Sequence, residues 1–457
     1  MKKGKPYVLI ALLSVIILIA LVPWYFIISR NLSPTEPPQL PSETEAYATP
    51  LPPPDTEPEP PVTEPLPPVT DPSSQTTEQP PPVTEPSSGD NVIDISSEYP
   101  ELGNELDRMA SRFNCVSASL VIFDGDKGEY YTYQYGYSNL SAQQRVDTDT
   151  KFRVASLSKL TTVICAMILV DEGKLDLDED ISTYLGYTVK NPVFPATSIT
   201  TRMLMQHTSS IFDSSTFQSS RDKNSSDSTQ RLLDTISSYR RREPGLIFEY
   251  TNFGYSVLAA VCEKVSGIKF DAFARDKLFD PLGIDAAYVA SNLTDQTNIA
   301  VIYNDSHTVT RSVQTQLNVG ESSELGFDNH LAQGNLTIST LDYARVLAML
   351  RSNNARRDHT ILSERSARAI HNASVSGPVY EQGLATRLSP VAFMPGENAF
   401  WHTGSAFGTY AQYVYSNDGT NRGVVVVTTG SDTGRDSYGM VNVCTEMSAL
   451  VWRRLGF

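Results

Sequence analysis

The chain has 457 residues, with 52 acidic side chains against 36 Lys and Arg, for a formal net charge of −16. That balance excludes a protein that neutralises nucleic-acid phosphates. The four cysteines and six histidines show no metal-ligand spacing, so neither a metal nor a cofactor is expected, and no disulfide is required.

Residues 1–6 carry Lys2, Lys3 and Lys5 and read as a cytoplasmic tail. Residues 7–28 hold no formal charge and are long enough to cross a bilayer, which predicts a transmembrane signal anchor with the rest of the chain outside the cell. Residues 29–92 read as a disordered linker. Between Pro34 and Asp90 lie 19 of the 29 prolines and 11 acidic residues, with no Lys or Arg. A Pro-Pro-Val-Thr-(Glu/Asp)-Pro repeat starts at Pro60, Pro67 and Pro81. Such a segment cannot bury a core and favours extended, polyproline-like conformations. The linker carries −11 and the first thirty residues +4, which leaves −9 on residues 93–457, a mildly acidic globule.

That domain opens with a predicted helix, Glu98 to Phe113, and strands at Ser117–Phe123 and Glu129–Tyr135 joined by a turn at Asp124-Gly125. Tyr130, Tyr131, Tyr133, Tyr135 and Tyr137 then read as strand packing. An alternating stretch, Thr150 to Ala155, runs into Ser156-Leu157-Ser158-Lys159. Helically spaced apolar residues follow at Leu160, Val163, Ile164, Met167 and Ile168. Ser156 thus sits at the mouth of a helix, with Lys159 one turn on along the same face. Two other Ser-x-x-Lys runs, at Ser220 and Ser266, open no apolar helix. The Ser-rich stretch Ser214 to Thr229 reads as a surface loop.

Further on, Tyr250-Thr251-Asn252 leads into an apolar helix marked by Phe253, Val257, Leu258, Val261 and Cys262. His402-Thr403-Gly404 ends a strand that begins at Ala399. Strands at Thr409–Tyr415 and Val424–Thr429 follow around a turn at Asn417-Asp418-Gly419, and a helix from Tyr438 to Leu455 closes the chain. Ser156 to about Leu350 reads as mostly helical. The class is therefore α+β: an antiparallel sheet built from both ends of the domain, flanked by helices, with a helical lobe and a site between them.

A serine hydroxyl is a weak nucleophile and needs a base in contact; a lysine amine serves if burial and neighbouring charge keep it neutral. With that chemistry in view, the ordered set of segments resembles the serine β-lactamase-related family. That family includes class C β-lactamases, low-molecular-weight penicillin-binding proteins, D-amino-acid peptidases and esterases. Lys151–Ser156, Gly173–Ile181, Leu204–Ser209, Leu278–Gly283 and Gly334-Asn335-Leu336 carry the likeness beyond the three short motifs, over roughly Glu98 to Phe457.

The resemblance implies an acyl-enzyme on Ser156, with Lys159 and Tyr250 relaying its proton. Asn252 would hydrogen-bond Lys159 or the substrate amide, and His402 would orient Tyr250 or an acidic substrate end. The backbone N–H groups of Ser156 and Ser405 would hold the oxyanion, beside Thr403 and Gly404, with Gly404 letting the strand approach the substrate. Two positions depart from the family pattern: His402 replaces a lysine and Ser210 a glycine. The histidine points to the D-amino-acid peptidase and esterase branches. The implied function is a D-Ala-D-Ala carboxypeptidase-like or D-amino-acid peptidase acting on cell-wall peptides. The implied partners are peptide or ester substrates, peptidoglycan stem peptides, β-lactams and a membrane, with no nucleic acid. An esterase or weak class C-like β-lactamase is the alternative, and a non-hydrolytic penicillin-binding or sensor protein is the alternative of another class.

Overall fold

Asp94 is the first residue to organise the chain locally: its carboxylate accepts from Ser96 N and caps the turn Ile95–Glu98. In the computed structural model the described residues are 89–457, apart from 223–227, 329, 352–360 and 433. The expected cytoplasmic tail, the anchor at 7–28 and nearly all of the linker lie outside the described residues. No helix among the described residues is long and apolar enough to cross a membrane.

Strand β1 (Asn91–Asp94) precedes that turn, and helix α1 (Pro100–Arg112) follows it. The helix starts at Pro100 rather than Glu98 because proline suits the first helical position and the preceding turn is closed on itself. Next come β2 (Ser117–Asp124), β3 (Glu129–Asn139), β4 (Lys151–Arg153) and α2 (Ser158–Asp171). Then follow α3 (Phe253–Ser266), β5 (Thr337–Ser339) and α4 (Thr340–Arg351). The C-terminal part supplies β6 (Arg387–Val391), β7 (Met394–Ala406), β8 (Thr409–Ser416), β9 (Arg422–Thr429) and α5 (Asn442–Leu455).

The main sheet runs β1-β3-β2-β9-β8-β7-β6 and ends in two short strands, Glu381–Gln382 and Val375–Ser376. All neighbours are antiparallel except β1 and β3. The two ends of the domain meet where β9 pairs with β2, Val425 opposite Val121. Both faces are covered, so β9 carries four successive buried valines, Val424 to Val427, in place of an apolar–polar alternation. Val424 and Val426 share a core with Leu106 of α1 and Met447 of α5, while Val425 and Val427 join the larger core with α2, α3 and α4.

Helix α2 is apolar nearly all round, with Leu160 through Leu169 buried, because it is enclosed by α3 and the sheet. The stretch between α3 and α4 is less helical than its composition predicts. It holds a small hairpin (Ile302–Tyr303 with Val309–Arg311), and β5 pairs with β4 beneath the Ser156 turn. The Ser-rich stretch expected as a surface loop contains helix Ser215–Asp222, because Phe217 stacks on Phe253 at 4.8 Å and anchors it to α3, and it ends where helix Thr229–Leu233 begins. The last helix begins at Asn442, since Asp436 accepts from the backbone of Tyr438 and Met440 and holds those residues in a turn.

Candidate active site

The nucleophile turn is built from short, well-anchored pieces. Strand β4 leads into Val154, whose N–H donates to Leu336 O at 2.9 Å. Ala155 takes a left-handed φ of 50°, and Ser156 follows in a 3-10 turn, Ala155–Leu157, before α2 begins. Ser158 locks this bend: its hydroxyl donates to Ala155 O at 2.6 Å and accepts from Leu336 N at 3.1 Å. A left-handed non-glycine residue is strained, and such strain is stable only where its surroundings hold it.

The expected trio comes together around Ser156 Oγ. Lys159 Nζ lies 3.2 Å from it and Tyr250 Oη 2.9 Å. Lys159 is fully buried, and its Nζ also donates to Asn252 Oδ1 at 2.9 Å and Gln333 O at 2.6 Å. Its Nζ also faces the rings of Tyr250 and Tyr255, at 5.0 and 5.4 Å. No carboxylate pairs directly with Lys159 among the described residues.

Strand β7 forms one wall of the site. Beyond Trp401 it has no strand partner on the β6 side, so its edge lies open beside the Ser156 turn. Thr403 and Ser405, two residues apart, both line the cleft. The glycine's role differs from the expected one. A Cβ on Gly404 would stand 2.4 Å from Val154 O and 3.2 Å from Leu157 Cδ1, so Gly404 lets the strand approach the nucleophile turn.

His402 corrects another expectation. Strand alternation turns it away from the cleft into the core, where it is 1% exposed, with Nδ1 against Thr403 O and Nε2 without a hydrogen-bond partner. Its ring is 6.3 Å from that of Tyr250, with no hydrogen bond between them, so it does not orient Tyr250 that way. Burial, reinforced by the Arg387 and Lys159 cations, holds its imidazole well below the ordinary pKa range. His207 is likewise buried and depressed, mainly by desolvation. Its Nδ1 accepts from Thr251 N at 3.2 Å, which supports the backbone of the Tyr250 motif. At Ser210, where the family pattern has glycine, φ is +66°, the left-handed conformation that favours glycine.

Three contributors carry no signal in the sequence. Asp213 caps α3: its Oδ1 accepts from Asn252 N and Phe253 N, and its Oδ2 from Asn252 Nδ2. Gln333 acts through its backbone carbonyl. Arg387, on β6, packs over the rings of Tyr380 and Trp401 at 4.6 and 5.0 Å, and its Nε has no hydrogen-bond partner. The cleft encloses about 790 Å³; Arg153, Arg311 and Arg387 line it, and no acidic residue among the described residues does. Its field therefore favours an anion although the protein is acidic.

Elsewhere, Glu263, Glu321 and Asp328 converge, but Lys269 already donates to Glu263 and Asp328, at 3.0 and 2.7 Å. The four cysteines are buried and free, and burial pushes the Cys115 thiol up to about 12.

Comparison with known proteins agrees with this geometry. The sequence profile of the family described as Beta-lactamase matches residues 106–440. The chain belongs to the beta-lactamase family. Penicillin-binding protein 4 of Amycolatopsis lactamdurans is 30% identical over 181 residues, 39% of this chain and 46% of the relative. A penicillin-binding protein of Bacillus subtilis is 29% identical over 165 residues, 35% of each chain. The chain thus spans less than half the length of these relatives. A class C beta-lactamase mutant superposes with a TM-score of 0.62 at 18% identity, over 79% of this chain and 98% of that one. A D-amino acid amidase from Ochrobactrum anthropi gives 0.60 at 20%, over 78% and 97%.

Proposed function

We propose that the chain is an extracytoplasmic serine peptidase that cleaves an amide next to a D-amino-acid carboxylate, as in cell-wall stem peptides. One observation carries the reading: a serine held by a buried lysine and a tyrosine, in a cleft lined by three arginines and, among the described residues, no acid. Ser156 Oγ attacks the carbonyl carbon, and its proton passes through Lys159 and Tyr250 to the leaving nitrogen. The C–N bond breaks, leaving an ester on Ser156, and water then attacks that ester and restores the hydroxyl. The N–H groups of Ser156 and Ser405 stabilise the oxyanion; each such donor contributes about 3 kcal/mol in the transition state. Asn252 holds Lys159, and Arg387 receives the substrate carboxylate. A β-lactam carries the same carboxylate beside an acylating carbonyl and acylates the same serine.

The uncharged run at 7–28, with Lys2, Lys3 and Lys5 before it, supports a single-pass anchor, and the Pro-rich linker supports a spacer between membrane and cleft. The test uses the full-length chain in detergent with an acyl-D-Ala-D-Ala peptide and the matching neutral ester. Release of D-alanine, lost in Ser156→Ala, is the expected result. Turnover of the ester with the peptide left intact would move the enzyme to the esterase branch.

A further inference from the structure

The two ends of an asparagine amide have the same shape and opposite hydrogen-bonding character, so something must decide which end of Asn252 faces Lys159. Its Oδ1 accepts from Lys159 Nζ at 2.9 Å, and its Nδ2 donates to Asp213 Oδ2 at 2.7 Å. A carboxylate only accepts, so it admits the N–H₂ end alone and leaves the oxygen to the lysine. The two carboxylate oxygens divide their contacts. Oδ1 takes Thr251 Oγ1 at 2.9 Å, Asn252 N at 2.7 Å and Phe253 N at 2.8 Å, which is helix capping. Oδ2 takes the Asn252 amide. No lysine or arginine pairs with Asp213 among the described residues, so its charge is directed at the α3 terminus and, through Asn252, at Lys159.

We infer that Asp213 is a positioning residue for acylation: it fixes the Asn252 amide so that a hydrogen-bond acceptor, never a donor, meets Lys159 beside Ser156. The inference rests on the proposed use of Lys159 and Ser156 but not on which bond the enzyme cuts. Asp213→Asn separates the two roles. An asparagine can keep its oxygen toward the three capping donors. Its N–H₂ then faces the Asn252 N–H₂, and the clash is relieved only if Asn252 turns its own N–H₂ toward Lys159.

The experiment measures the rate at which a fluorophosphonate labels Ser156, which reports nucleophile reactivity whatever the substrate. Full-length wild type, Asp213→Asn, Asn252→Ala and the double variant are compared, with melting temperatures recorded for each. Asp213→Asn should slow labelling on the order of 10²-fold, the usual cost of a misplaced catalytic group. In the Asn252→Ala background it should change the rate by less than about twofold, because the orientation it controls is already gone. Thr251→Val, which removes one donor to Oδ1 and the acceptor of Gly254 N at 3.3 Å, both on the capping side, should lower the melting temperature and leave the labelling rate near wild type. That control holds even if Asp213→Asn folds poorly.

Equal losses from Asp213→Asn in both backgrounds, or an equal loss in Thr251→Val, would reduce Asp213 to a cap and overturn the inference. An unlabelled wild type would overturn it together with the proposed function. Labelling that follows the expected pattern without release of D-alanine would overturn only the choice of scissile bond.

Discussion

Lys159 and Arg387 are two basic side chains at one cleft, and the protein treats them in opposite ways. Lys159 is sealed, with its Nζ within hydrogen-bond reach of oxygens of Ser156, Asn252 and Gln333. Arg387 is held by aromatic faces, has no carboxylate partner among the described residues, and leaves its Nε without a hydrogen-bond partner. Arg311 resembles it, stacked on Phe407 at 3.7 Å with, among the described residues, only the Thr310 carbonyl as a hydrogen-bond acceptor. The difference teaches where preorganisation ends. The proton-transfer centre is complete before substrate arrives, whereas the recognition sites keep their charge for a group the protein does not supply.

The sharpest way to break this contrast is to empty the sealed site. Lys159→Met keeps the volume but removes the base and strands the oxygens of Asn252 and Gln333. Turnover should fall by at least about 10³-fold, with a loss of thermal stability visible in a melting curve. Gly404→Ala attacks the same centre from the strand: its Cβ meets a backbone carbonyl, so β7 or the nucleophile turn must move. A destabilisation of about 1–3 kcal/mol in urea unfolding, with reduced turnover, is expected.

Arg387→Gln tests the open side. KM for a carboxylate-bearing peptide should rise about tenfold, the worth of a charge-assisted hydrogen bond, while kinetics on a neutral ester stay within about twofold. A fall in kcat on both substrates would make Arg387 part of the proton-transfer centre and dissolve the comparison.

The smallest effect comes from behind the cleft wall. Burial, with Asp271 next in effect, pushes the Glu321 carboxyl up to about 7, and one of its oxygens has no hydrogen-bond partner. Between its ordinary value of 4.5 and about 7 the unfolded chain ionises this group while the folded chain keeps the proton. Folded-state stability is therefore lost as pH rises through that window, and the deficit is complete above it. Glu321→Gln should raise the melting temperature at pH 8 and change it little at pH 4.

What was legible in the sequence follows the range of each interaction. Ser156 and Lys159 sit one helical turn apart, so their contact is implied by spacing alone, and the run of valines in β9 announces a strand buried on both faces. Tyr250 needed the family likeness, because it reaches Ser156 across 94 positions. Asp213 was illegible, since a lone aspartate next to a Ser-rich stretch has no local pattern and its meaning comes from α3. Gln333 was illegible in principle, because a backbone carbonyl leaves no trace in residue identity. His402 was expected to orient Tyr250 or an acidic substrate end, whereas two-residue alternation with Thr403 and Ser405 turns it inward. Gly404 was recognised as a close approach, but of a different partner.

The central claim, an acyl-enzyme on Ser156, is tested most directly by intact mass. The full-length chain and its Ser156→Ala variant are incubated with benzylpenicillin and followed over time. The account predicts a mass increase of one drug molecule in the wild type and none in the variant. An unchanged wild-type mass with undegraded drug, or an adduct that survives Ser156→Ala, would contradict it.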